Sequence, residues 1–133
     1  FMLLMTDLCR YYSHVADPAA QPLLRLGRVI GYIEQHYGES LTLDHLATIG
    51  DMSRRSLTRE FNRALGCSPI EYLIRLRINH AARLIENSDS AITEIAFRVG
   101  FQDSNYFSRQ FRAQMGSPPR EYRILRRQSM QRG

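Results

Sequence analysis

Apolar residues recur along this chain at steps of three and four, and no stretch alternates with a period of two. The chain therefore reads as all-α. Leu26, Val29, Ile30, Ile33 and Tyr37 make the inner stripe of a first helix, which Pro22 opens and Gly38 closes. Thr42 caps a short helix, 43–49, with Leu43, Leu46 and Ala47 inward. Asp51 and Met52 make a tight turn. Ser53 caps a longer helix that stops at Gly66, with Leu57, Phe61 and Leu65 on one face and Arg55, Arg59 and Arg63 on the other.

Ser68, Pro69 and Glu71 form a strong helix start: a cap, a residue without an N–H in the first turn, and an acid three places beyond the cap. The helix they open reaches Glu86 or Asn87. Leu73, Leu76, Ile78, Ala81, Leu84 and Ile85 spread over so wide an arc that it must pack on more than one side. At about 1.5 Å per residue it is about 28 Å long. After a loop, 88–90, a second short helix, 92–99, turns Ile92, Ile95, Ala96 and Val99 inward. Gly100 and Phe101 turn the chain. Asp103 or Ser104 caps another longer helix, with Phe107, Phe111 and Met115 inward and Asn105 and Arg109 outward, and Gly116 ends it. Pro118 and Pro119 open a last short helix through Tyr122 and Leu125, and the polar residues from Arg126 onward are expected to fray.

The two longer outward helices are copies. Phe61, Leu65, Gly66, Pro69, Glu71 and Tyr72 match Phe111, Met115, Gly116, Pro119, Glu121 and Tyr122 at an offset of 50, and Ala47 and Met52 match Ala96 and Phe101 at an offset of 49. One supersecondary unit has been used twice, with its single slip in the turn. Each copy is a short helix, a tight turn and a longer helix with a polar outer face, which is a helix-turn-helix. A small residue in the short helix (Ala47, Ala96) admits a close crossing. The apolar residue after the turn (Met52, Phe101) fills the angle.

Charge adds a direction to this picture. The formal charge is +5, and all 18 basic residues are Arg. Residues 1–50 hold three Arg against five acids, and residues 51–133 hold fifteen against eight, so the net is −2 before the repeat and +7 across it. An anion-binding surface is thereby placed on the repeat, and an Arg stripe on an exposed helix face suits the DNA major groove. Cys9 and Cys67 are too few for a metal motif or a disulfide framework and are read as reduced thiols of a cytoplasmic protein. No apolar run is long enough to span a membrane, and no signal peptide is evident. The chain starts with Phe1 and is expected to be part of something longer. Residues 1–21 read as a helix and linker from an upstream domain, 22–67 as the first helix-turn-helix subdomain, 68–87 as the linking helix, 88–127 as the second subdomain and 128–133 as a frayed tail.

The second unit, ITEIAFRVGFQDSNYFSRQFRAQMGSPPREYR (92–123), resembles the signature of the AraC/XylS family of bacterial transcription regulators: IA, GF, FSRxF, G, then P and YR. The first unit also fits, except that Asp51 stands where the family usually has Gly. Asp tolerates a left-handed backbone, so the fold should survive. The resemblance implies two helix-turn-helix subdomains joined by a long central helix that presents two reading helices to successive major grooves. By the same resemblance, Arg55, Thr58 and Arg59 of the first unit, and Asp103, Ser104, Asn105, Ser108 and Arg109 of the second, face base edges. Arg54, Arg63, Arg112, Arg120 and Arg123 face phosphates, with pairing of Arg63, Arg112 or Arg123 to Glu60, Glu71 or Glu121 as the internal alternative. It further implies double-stranded DNA and RNA polymerase (a sigma or alpha subunit) as partners, Glu94 as a polymerase contact, activation, and a homodimer formed through an N-terminal sensor domain. No cofactor or metal is expected.

Two other readings compete. An enzyme is disfavoured, because His14, His36, His45 and His80 lack partners at catalytic or metal spacing. An alkyl-accepting thiol at Cys67 would lack the metal-binding Cys cluster of the repair proteins that resemble this family. A nucleic-acid-binding or architectural module without sequence choice is the remaining alternative. The unlike outer stripes of the two units speak against it.

Overall fold

The computed structural model describes residues 21–132, and the expected N-terminal segment, with its apolar residues from Leu3 to Tyr12, lies outside them. Among the described residues seven helices follow in order: α1 Gln21–His36, α2 Leu43–Ile49, α3 Arg54–Leu65, α4 Pro69–Asn87, α5 Ile92–Arg98, α6 Ser104–Met115 and α7 Pro119–Arg132. They fall into two compact units. Residues 21–36 and 41–72 belong to unit 1, and residues 37–40 with 73–132 belong to unit 2. The division falls within α4, with residues 69–72 in unit 1 and residues 73–87 in unit 2.

Unit 1 is α1 packed on α2 and α3. Leu26, Val29, Ile30 and Ile33 of α1 are buried with Leu46 and Ala47 of α2 and Leu57 and Phe61 of α3. Each fully buried large side chain contributes roughly 1.5–3 kcal/mol. Tyr37, expected to extend the α1 stripe, does not: the helix stops at His36, and the Tyr37 ring stacks on His80 in unit 2 at 4.0 Å. The α2–α3 turn is closed by backbone bonds from Gly50 to Leu46, Asp51 to Thr48 and Met52 to Ala47. Asp51 sits in the left-handed region, with φ 52°. An Asp holds that conformation at less strain than most residues with a side chain.

Unit 2 repeats the design. Its core gathers Ile78, Ala81, Ala82 and Ile85 of α4, Ile95 and Ala96 of α5, Val99 and Phe101 of the turn, Phe107 and Phe111 of α6 and Tyr122 of α7. The turn bonds recur from Val99 to Ile95, Gly100 to Phe97 and Phe101 to Ala96. Phe61 meets Tyr72 edge-on at 5.5 Å in unit 1, and Phe111 meets Tyr122 edge-on at 5.2 Å in unit 2. α7 runs on through Arg132 where fraying is expected from the sequence. Its arginines supply the reason: Arg126 pairs with Glu86 at 3.1 Å, and Arg127 pairs with Asp89 and donates to the Ser88 carbonyl.

Candidate nucleic-acid interface

α3 is oriented by its ends and its apolar stripe. Ser53 Oγ accepts the Ser56 N–H at 3.1 Å, and Gly66 closes the helix in the left-handed conformation with φ 72°. Leu57 and Phe61 are buried, which turns Arg54, Arg55, Arg59 and Arg63 to the surface and leaves Thr58 half-buried between them. A shallow, open depression is lined by Leu43, Arg54, Arg55, Thr58 and Arg59. Three guanidiniums and a hydroxyl therefore meet there, over an apolar floor from α2. Such a surface offers bidentate donors for guanine and a methyl and hydroxyl for thymine.

The guanidiniums of α3 are not equivalent. Arg54 is braced by Asp44 of α2 at 3.2 Å. Glu60 lies 3.7 Å from Arg59 and 3.6 Å from Arg63, which is the internal alternative for Arg63. The arginine of each pair is exposed and the Glu60 contacts are long, so each pair is weak, within about 1 kcal/mol, and all three arginines can exchange their partners for DNA. Arg55 has no carboxylate partner among the described residues.

α6 presents a different stripe. Asn105 and Arg109 are exposed, and Ser104 and Ser108 are half-buried. The Arg109 guanidinium lies 5.9 Å from the Tyr106 ring centroid, which restrains it by a cation–π contact. Asp103, expected as a reader of cytosine, spends Oδ1 on the Asn105 N–H at 2.9 Å, so its first role is to cap the helix. Gln114 ties α6 to α4 through the Arg75 carbonyl at 3.2 Å and Asn79 at 3.4 Å. Arg112 and Arg120 are exposed and have no carboxylate partner among the described residues.

Arg123, expected to face phosphates, makes bonds within unit 2. Its Nε donates to the Ile85 carbonyl at 3.1 Å and a terminal nitrogen to the Ser90 carbonyl at 2.8 Å. It satisfies acceptors at the end of α4 and in the loop beyond. Arg77 does similar work, and nothing in its local sequence marks it for that. Its Nε and a terminal nitrogen donate to the Tyr37 and Glu39 carbonyls, both at 2.7 Å, and burial lowers its pKa. Two tyrosines anchor the helices behind the surface. Tyr72 donates to Glu34 at 3.0 Å and Tyr122 to Glu86, and both phenols are raised, first by burial and then by the carboxylate each one meets.

Glu94 stands exposed on α5 and pairs with Arg98 at 3.3 Å. Cys67 is buried at 3% exposure, which is a poor setting for a reactive thiol. Among the described residues, no group of three His, Cys, Asp or Glu side chains could hold a metal ion, and no helix is long and apolar enough to cross a membrane.

Known proteins share this architecture. A helix-turn-helix domain family matches residues 46–124. The transcriptional activator RhaS of Enterobacter sp. (strain 638) is 37% identical over 131 residues, covering 98% of this chain and 46% of that protein. RhaS of Escherichia fergusonii is 40% identical over 107 residues, covering 80% of this chain and 38% of that protein. The chain thus spans less than half the length of these relatives. The DNA-binding domain of AdpA, a global transcriptional factor solved in complex with a target DNA, superposes with a TM-score of 0.76 at 35% identity, covering 81% of this chain and 97% of that one. An AraC-type regulator from Chromobacterium violaceum superposes with a TM-score of 0.71 at 32% identity, covering 83% and 96%. With both helix-turn-helix units, their turns and their polar outer stripes accounted for, this chain belongs to the AraC/XylS family and carries its DNA-binding domain.

Proposed function

We propose that the chain is the sequence-specific DNA-binding part of a bacterial transcription regulator, reading two successive major grooves with α3 and α6. The observation that carries this reading is the double stripe. Each recognition helix buries its aromatic and aliphatic face and turns arginines with small polar residues to solvent. Arg55, Thr58 and Arg59 read one box, and Ser104, Asn105, Ser108 and Arg109 read the other. Asp103 borders the second box from its cap position. Arg54, Arg63, Arg112 and Arg120 grip phosphates, which fixes register without reading sequence. AdpA's domain, of similar fold, was solved on a target DNA, and the RhaS relatives are activators, which supports the same role here.

Activation would run through RNA polymerase, by its sigma or alpha subunit, with Glu94 on the exposed side of α5 as the contact. Dimerisation would run through a sensor region outside the described residues, and the protein would act in the cytoplasm. The test of the central reading is selection of bound duplexes from a randomised pool at near-physiological salt. Two short boxes about one helical turn apart, ~10 base pairs, are expected. Recovery of one box would remove the second reading helix from the assignment. No enrichment would favour binding without sequence choice.

A further inference from the structure

The recognition helix of unit 1 carries a carboxylate, and that of unit 2 does not. α3 holds Arg54, Arg55, Arg59 and Arg63 against Glu60, four minus one, whereas α6 holds Arg109 and Arg112 and no acid. The Glu60 side chain is only 19% exposed, while those of Arg59 and Arg63 are 64% and 72% exposed. A single oxygen, Oε1, lies within 4 Å of both guanidiniums. The acid therefore sits low on the helix flank beneath two extended arginines. At an offset of 50 its counterpart is Gln110, also half-buried, so the fold accepts an uncharged amide of the same size at this place.

An acid on a face that meets phosphates lowers affinity for every duplex, because binding without sequence choice is carried by charge neutralisation. Its benefit must lie in discrimination. We propose that Glu60 is a positioning residue that sets specificity, holding Arg59 and Arg63 in an internal pair that cognate DNA displaces and non-cognate DNA does not. This rests on the DNA-reading function proposed above. The two arginines are exposed and their contacts with Glu60 are long, at 3.7 and 3.6 Å, so the pair is weak and yields readily. A guanine that presents O6 and N7 to Arg59 replaces it with two directed hydrogen bonds. On a duplex without that guanine Arg59 gains no such directed pair, and the phosphates stand out of register for Arg63, so Glu60 keeps both.

The experiment measures binding of the 133-residue chain to its selected duplex and to a scrambled duplex of equal composition, from about 50 to 200 mM salt. Glu60→Gln is expected to tighten scrambled-duplex binding about threefold at the lower salt and to steepen its log–log salt slope by about 0.9, as one added phosphate contact would. The ratio of specific to non-specific affinity falls accordingly. Arg63→Gln should then cost more scrambled-duplex affinity in the Glu60→Gln background than in the parent, a coupling that a merely structural Glu60 would not produce. A folded Glu60→Gln variant with slope and ratio unchanged overturns the inference. If that variant fails to fold, Gln110→Glu tests it from the other unit: weaker scrambled-duplex binding and a shallower slope support it, and no change overturns it. A parent chain that prefers no duplex would overturn the proposed function itself, so the two failures are told apart.

Discussion

Asp51 and Gly100 hold the same left-handed step of the two helix-turn-helix turns, with φ of 52° and 108°. Their surroundings differ. Asp51 is exposed, whereas a Cβ on Gly100 would lie 2.8 Å from the Tyr37 carbonyl oxygen and 2.8 Å from Arg77 Nε. One turn therefore tolerates a side chain at the cost of backbone strain, and the other excludes it. Asp51→Gly should stabilise the chain by about 0.5–1 kcal/mol by releasing that strain. Gly100→Ala should cost at least about 2 kcal/mol, because the carbonyl it meets is backbone and cannot swing away. Thermal melting followed by circular dichroism distinguishes the two directions.

The buried phenols make stability depend on alkaline pH. Tyr72 ionises well above the ordinary tyrosine value in the folded chain, and Tyr122 is also raised above it. The unfolded value is about 10, so the folded state holds these protons more tightly. Their contribution is complete below about pH 10 and is lost as pH rises through the raised folded values. The melting temperature should be little affected by these groups up to about pH 9 and should fall beyond about pH 10. Tyr72→Phe should flatten part of that fall while costing about 1 kcal/mol at neutral pH for the lost bond to Glu34. An alkaline limb of equal steepness in parent and variant would show that other groups dominate it.

Arg112 and Arg123 separate gripping from bracing. Arg112 is exposed on α6, and Arg123 is tied to two carbonyls. Arg112→Ala should weaken binding to all duplexes and shallow the salt slope by about 0.9, with little change in melting temperature. Arg123→Met should do the reverse, leaving the salt slope in place and destabilising the fold by about 1–3 kcal/mol through unsatisfied carbonyls. Salt titrations and melts of both variants decide the matter, and matching behaviour would erase the distinction.

Arg55 is the guanidinium of the α3 depression with no carboxylate partner among the described residues, so it has the least to give up on binding DNA. Arg55→Ala should cost about 1–3 kcal/mol on the selected site and relax sequence choice at one position. Repeating the duplex selection with the variant reads this out. An unchanged preference would move Arg55 to the phosphate set.

Much of this was legible in the chain because its information is local. The spacing of Leu57 and Phe61, and of Phe107 and Phe111, fixes which face of each helix is buried and so which face carries Arg55, Arg59, Asn105 and Arg109. Ser53, Gly66, Asp103 and Gly116 act within a few residues of themselves, as caps do, and all four mark helix ends. The repeat at an offset of 50 makes the two turns recognisable as one device. Local polarity predicts fraying from Arg126 onward and cannot show the partners of Arg126 and Arg127, because Glu86 and Asp89 lie some forty residues earlier in the chain.

The sequence by itself determined the helices, their caps, the doubled unit and the sign of the outer faces, because periodicity and capping act over one or two turns. The tertiary structure alone decided how each long side chain is used. An arginine reaches several ångströms in any direction, so composition cannot say whether it meets solvent, a carboxylate or a carbonyl. Packing spends Arg77 and Arg123 on carbonyls left over at loops and helix ends, sets Glu60 beneath Arg59 and Arg63, and leaves Arg55 and Arg112 exposed.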